Sequence, residues 1–167
     1  MNCIFPGRFQ PFHKGHLYAI GKIKDKCDML ILIVENAGES FTFENPFTAG
    51  ERIEMILGSI EKDEKMLIIP MENIKNNAEW VRHLKVMLPR FELCYSNNPL
   101  VKILMEEEGI RVEGIDFYER QRYSGTEIRK RIALGQEWKE LVPNFVYDYI
   151  KGNDLEKRIR SLYGDRR

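Results

Sequence analysis

"MLILIV", residues 29 to 34, is apolar at every position. A strand with one face in water alternates apolar and polar residues. An unbroken apolar run of this length suits a strand covered on both faces, in the middle of a parallel sheet. Working outward, NCIF (2–5), MLIIP (66–70), FELCY (91–95) and IRVEGI (110–115) read as the remaining strands. Helical patterns fill the spaces between them. "TAGE" at 48–51 is a Thr-x-x-Glu capping box, followed by Ile53, Ile56, Leu57 and Ile60 on one face. Asn98 before Pro99 supplies an N-cap and an N1 proline for a helix ending near Gly109. "SGTE" at 124–127 reads as a second capping box, and Pro143 opens a further helix.

Strand and helix alternate along the chain with connections long enough for crossovers. This predicts an α/β protein, a Rossmann-like doubly wound parallel sheet of about five strands with a C-terminal helical extension. The chain has no linker or repeat, so residues 1–167 are expected to form a single domain, with 150–167 as a final helix running into a basic tail.

Composition narrows the function. Twenty-six basic residues balance twenty-six acidic ones, so no global field draws the chain to nucleic acid or to an anionic membrane. Apolar runs stay far below the length of a membrane span, and the first residues lack the pattern of a signal peptide. A cytoplasmic location is expected. Cys3, Cys27 and Cys94 are far apart and lie in apolar surroundings, which reads as buried, reduced thiols.

Ligands of doubly wound sheets bind at the carboxyl ends of the strands. Neither GxxxxGK[ST] nor GxGxxG occurs there. The first strand runs instead into "GRFQPFHKGH", residues 7–16. Gly7 permits a sharp turn, and Gly15 lets a backbone approach closely at the start of a helix. His13 and His16, three apart, project to one side of a helical turn. Two imidazoles beside free N–H groups at a helix N-terminus make a receptor for phosphate oxygens, to which Arg8 and Lys14 add charge. "RYSGTEIRKR", 122–131, brings the Ser124 and Thr126 hydroxyls and two arginines, Arg129 and Arg131, to the same edge of the sheet. Two helix N-termini with histidines and arginines suit a triphosphate.

Gly-x-Phe-x-Pro-x-His-x-Gly-His near the start with Ser-x-Thr-x-x-Arg near the end resembles the HxGH nucleotidyltransferase superfamily. With "NPFTAGER", "NAEW" and "SNNPLV" between them, the blocks resemble the archaeal-type nicotinamide-nucleotide adenylyltransferases from residue 1 to about 150. The resemblance implies transfer of AMP from ATP to nicotinamide mononucleotide (NMN), giving NAD and pyrophosphate, with no covalent intermediate. It implies catalytic roles for His13, His16 and Arg129. It implies ATP binding by Gly7, Arg8, Phe9, His13, Gly15, His16, Ser124, Thr126 and Arg129. NMN or NAD would be held by Arg52, Ile74, Asn77, Trp80 and Asn98. Mg²⁺ is implied through the ATP phosphates, with no metal site built from the protein's own side chains, and a homo-oligomer, a hexamer in the resembled family, is implied as well. One stretch departs from the pattern: "ENAGESF", 35–41, has Glu35 for a glycine, Gly38 for a glutamine and Phe41 for a histidine. The competing readings are another HxGH transferase, of pantetheine phosphate or cytidylyl groups, and a non-catalytic NAD or ATP sensor. Trp80, sharing a helical face with Leu84 and Met87, also reads as a core residue; Trp138 reads as core alone.

Overall fold

The computed structural model of the protein describes residues 1–117 and 119–165. Five parallel strands, β1 (Asn2–Gly7), β2 (Met29–Val34), β3 (Met66–Pro70), β4 (Leu93–Tyr95) and β5 (Arg111–Glu113), form one sheet in the order β3-β2-β1-β4-β5. The chain builds outward from β1 to β3, then returns to the other side of β1 for β4. The reversal between β1 and β4 opens a crevice at the carboxyl ends of those two strands.

Side chains of the central strands alternate between two apolar layers, as the period of a strand requires. Cys3, Phe5, Leu30, Leu32 and Val34 face one layer with α1 (Lys14–Ile23), α2 (Ala49–Leu57), α5 (Gly125–Ala133), α6 (Asn144–Gly152) and α7 (Leu155–Gly164). Ile4, Ile31, Ile33 and Cys94 face the other, with α3 (Trp80–Met87) and α4 (Pro99–Glu107). The apolar run at 29–34 is therefore the covered strand that its sequence predicts, buried from Leu30 to Val34. Trp138 lies in the first layer, 4% exposed.

Local signals give the helix starts. The Thr48 hydroxyl accepts from the Glu51 N–H, and the Glu51 carboxylate accepts from the Thr48 N–H. Asn98 caps α4 through the Leu100 N–H, with Pro99 at the first turn. Gly109, at φ 76°, follows the end of that helix. The 124–127 box is only half formed: Ser124 caps the Glu127 N–H, but the Glu127 carboxylate pairs with Arg131 instead. That pairing, together with a bond to the Glu137 carbonyl, takes Arg131 out of the predicted cation cluster. On α3 the buried face is Val81 and Leu84, continued by Leu88 after the helix, while Met87 is exposed.

The C-terminal extension is helical as predicted, through α6 and α7; Arg166 and Arg167 of the basic tail lie outside the described residues. It braces the departing segment. Arg158 of α7 makes a two-point pair with Glu51, donates to the Pro46 carbonyl and lies 4.2 Å from the Phe41 ring centre.

The reduced-thiol reading fails for two cysteines. Cys3 and Cys27 form a disulfide, their Cα atoms 5.8 Å apart. β1 and the turn before β2 meet at the amino ends of the paired strands, a juxtaposition that 24 residues of separation conceal in the sequence. Cys94 alone is free, and it is buried. Closing a loop of that length restricts the unfolded chain by about 3 kcal/mol. The Cys3→Ser, Cys27→Ser double variant should lose roughly that much in urea unfolding relative to the oxidised protein. Equal stability would show that the link contributes nothing.

Candidate active site

The carboxyl end of β1 leads directly into the first helix, and the turn is tightly built. Phe9, at φ 53°, tucks its ring beneath Gly7, where a Cβ would meet that ring at 2.9 Å. Phe9 and Phe12 are 1% and 0% exposed, so their rings are walls, and only the main chain of Phe9 can face a ligand. Gly15 is required for a similar reason: a Cβ there would lie 2.8 Å from the His13 ring.

His13 and His16 cap α1 reciprocally. The His16 N–H donates to Nδ1 of His13 at 3.4 Å, and the His13 N–H donates to Nδ1 of His16 at 3.2 Å. The rings stack with centres 3.6 Å apart, and the Phe12 ring lies near-parallel to His16 at 5.5 Å. Burial disfavours the charged imidazole, holding His13 at about 3 and driving His16 well below its ordinary value, with the neighbouring His13 adding to the effect. Both rings are therefore neutral at pH 7. With each Nδ1 occupied as an acceptor, the remaining proton sits on Nε2. The pair thus presents two neutral N–H donors at a helix N-terminus.

The second predicted segment approaches from α5. Arg129, 4% exposed, donates from Nη1 to the Gln10 carbonyl at 2.7 Å and from Nη2 to the Thr126 hydroxyl at 3.4 Å. The first of these bonds joins segments 119 residues apart in the chain. Gly125 makes the approach possible, because a Cβ there would lie 2.8 Å from the Arg129 guanidinium. Nε of Arg129 is buried without a hydrogen-bond partner among the described residues. Burial first, then the Arg8 charge, lowers the Arg129 pKa to about 10. A buried donor on a cation is costly to leave unsatisfied, and an anion is the partner that its charge suits. Ser124 and Thr126 each accept a bond from the protein through the hydroxyl oxygen, leaving the hydroxyl proton for an incoming oxygen.

Of the residues predicted for the mononucleotide, Ile74, Asn77, Trp80 and Asn98 line one cavity of about 130 Å³ at the ends of β2, β3 and β4. Glu35 lines it too, the one charged residue among those that do. Arg52 does not. It is 0% exposed, and its guanidinium donates to the carbonyls of Arg8, Glu35, Asn36 and Thr48. It ties together the loops after β1 and β2, so it is a positioning residue. Gln10 went unrecognised in the sequence. Its buried side chain bonds both the N–H and the carbonyl of Phe47, fixing the loop whose own carbonyl receives Arg129. No spacing signals such a role.

Among the described residues no group of three His, Cys, Asp or Glu side chains could hold a metal ion. The imidazoles and Arg129 are donors, suited to phosphate oxygen rather than to a cation. Among the described residues no helix is long and apolar enough to cross a membrane.

Comparisons with known proteins agree with this geometry. Residues 4–131 match the cytidylyltransferase-like family. The chain belongs to that family and is a nucleotidyltransferase. Within it, the chain stands with the nicotinamide-nucleotide adenylyltransferases. A protein of that name from Methanolobus tindarius is 46% identical over 96% of this chain and 93% of its own length. One from Methanococcus aeolicus is 45% identical over 97% and 95%, and one from Archaeoglobus fulgidus 42% over 98% of both. A bifunctional NMN adenylyltransferase/ADP-ribose pyrophosphatase from Francisella tularensis, solved with AMP and a manganese ion, shares the fold. Its TM-score is 0.74 at 22% identity, over 98% of this chain and 52% of that one, so this chain spans about half its length.

The imidazole burial carries a pH dependence. An unfolded histidine takes up a proton near 6.5, which the folded His13 refuses until about 3. The contribution of neutral His13 to stability is complete above pH 6.5 and is lost progressively as pH falls toward 3. Urea unfolding of the ligand-free protein between pH 7 and pH 4 should show this decline, and His13→Gln should flatten it. An identical slope in the variant would mean that His13 is not buried neutral.

Proposed function

We propose that the crevice joins ATP and NMN, with the whole chain acting as one nucleotidyltransferase domain and each segment taking a separate task. The 5′-phosphate oxygen of NMN attacks the α-phosphorus of ATP in line; one P–O bond forms as the bond to pyrophosphate breaks, giving NAD. A phosphate monoester is already a nucleophile, so no general base is needed, and the protein's part is placement and charge stabilisation. The Nε2–H of His16 bonds an α-phosphate oxygen and that of His13 a neighbouring one. Arg129, through its unpartnered Nε, and the Ser124 and Thr126 hydroxyls hold the departing pyrophosphate. Gly7, Gly15 and the main chain of Phe9 let the nucleotide come close, and Arg8 adds charge at the rim. The 130 Å³ cavity takes the pyridine ring, with Trp80 as its stacking face and Asn77 and Asn98 as polar partners.

A divalent cation, Mg²⁺ in this proposal, would be held through the ATP phosphates and would neutralise part of their charge. A cytoplasmic location belongs to the same proposal, and the Cys3 and Cys27 side chains of the disulfide are 0% and 6% exposed. Self-association into a homo-oligomer, a hexamer by resemblance, completes the proposal. Exposed Leu57, Val86, Met87 and Ile103 supply apolar surface for it.

The observation that supports this reading is the Arg129–Gln10 bond, which joins α5 to the loop that leads to His13 and His16, beside a buried Nε with no partner among the described residues. Incubation with ATP, Mg²⁺ and NMN should yield NAD and pyrophosphate; no dinucleotide would refute the reaction. His16→Ala should lower kcat by about two orders of magnitude, or about 3 kcal/mol, the scale of one lost transition-state donor. Trp80→Ala should weaken NMN by ~1–3 kcal/mol and leave ATP nearly unchanged, the scale of one aromatic–base stack. Equal losses for both substrates would return Trp80 to the core.

A further inference from the structure

Glu35 is the feature that the phosphate chemistry leaves unexplained. It sits at the end of β2, with its N–H bonded to the Gly7 carbonyl and its own carbonyl held by Arg52, so its position is fixed from both sides. It lines the same cavity as Ile74, Asn77, Trp80 and Asn98. Every other lining residue is neutral. Burial raises the Glu35 pKa, and the Arg8 charge, facing it from the loop after β1, opposes that rise. The neighbouring Cys94 thiol, pushed up to about 12 by burial and by Glu35, is uncharged at pH 7. Glu35 is thus the one acidic residue of the ring pocket, and the Arg8 charge acts on it to favour its carboxylate form.

The chemistry of the ligand gives this anion a role. In NMN the ring nitrogen is bonded to ribose, so the pyridinium carries a permanent positive charge while its amide is neutral. Nicotinate mononucleotide has the same cationic ring but adds a carboxylate. A fixed carboxylate in a small, partly dry cavity attracts the first ring and repels the added charge of the second.

We propose that Glu35 is a specificity-determining residue that selects the pyridinium amide and disfavours the pyridinium carboxylate. This rests on the assignment of the cavity to the pyridine ring. The test compares kcat/KM for the two mononucleotides, at saturating ATP and Mg²⁺, in the native protein, Glu35→Gln and Glu35→Asp. Calorimetric Kd values for both mononucleotides are measured in parallel. The native protein should favour the nicotinamide form by on the order of tenfold or more, the scale of one partly screened charge contact. Glu35→Gln should collapse that ratio, chiefly because the nicotinate form improves, and Glu35→Asp should largely restore it. The KM for ATP, measured in each variant, checks that the phosphate site is intact. A native protein that treats both forms alike, or a ratio unchanged in Glu35→Gln with ATP affinity intact, overturns the proposal. The Kd arm separates the two ideas. If neither mononucleotide gave a dinucleotide, the reaction would be lost, while the binding ratio would still decide the role of Glu35.

Discussion

The reciprocal cap between His13 and His16 is the interaction on which the site depends. At most helix starts a hydroxyl or carboxylate accepts the orphan N–H groups. Here two imidazoles do so for each other, and the same pair of bonds fixes their tautomer and stacks their rings, with His16 seated against Phe9 and Phe12. A capping device thereby becomes a pair of oriented neutral donors. Neutrality matters: charged imidazoles in contact would repel, whereas neutral ones pack together and still donate. Fixed charge comes instead from Arg129 and Arg8, whose mutual repulsion lowers the pKa of Arg129 further than burial alone.

Everything around the cap holds that loop still. Gln10 is pinned to Phe47 by two bonds, Arg52 ties the loop after β1 to the loop after β2, and Arg129 bridges from α5. Three non-glycine residues in these segments, Phe9, Asn36 and Phe41, adopt positive φ values of 53°, 52° and 57°. Such conformations cost on the order of 1–2 kcal/mol each and persist where packing over-determines them. Phe41 lies beneath Arg158, so the C-terminal helix stabilises the segment whose first residue, Glu35, lines the 130 Å³ cavity.

Much of this was legible in the sequence because it is local. The apolar run at 29–34, the Thr48 box and the Asn98–Pro99 start are each decided within a few residues, and each forms as read. The spacing of His13 and His16 gave their common side, and the four residues that the resemblance names for the mononucleotide, Ile74, Asn77, Trp80 and Asn98, line one cavity in the fold. The failures arise where partners compete at a distance. Glu127 prefers Arg131 to the Ser124 N–H, which removes both a capping box and a phosphate cation. The four carbonyls to which Arg52 donates come from the loops after β1 and β2 and from Thr48, partners that its sequence block does not reveal. Cys3 finds Cys27 through the packing of β1 against the turn before β2. The steric need for Gly125 depends on where Arg129 lies, which no single-sequence pattern records.

The central claim is that the two histidines reach substrate as neutral donors with the proton on Nε2. Nitrogen NMR of the imidazoles in the ligand-free protein at neutral pH tests it most directly. Both rings should show protonated Nε2 and bare Nδ1. A bare Nε2 on either ring, or an imidazolium signal for the pair, would contradict it.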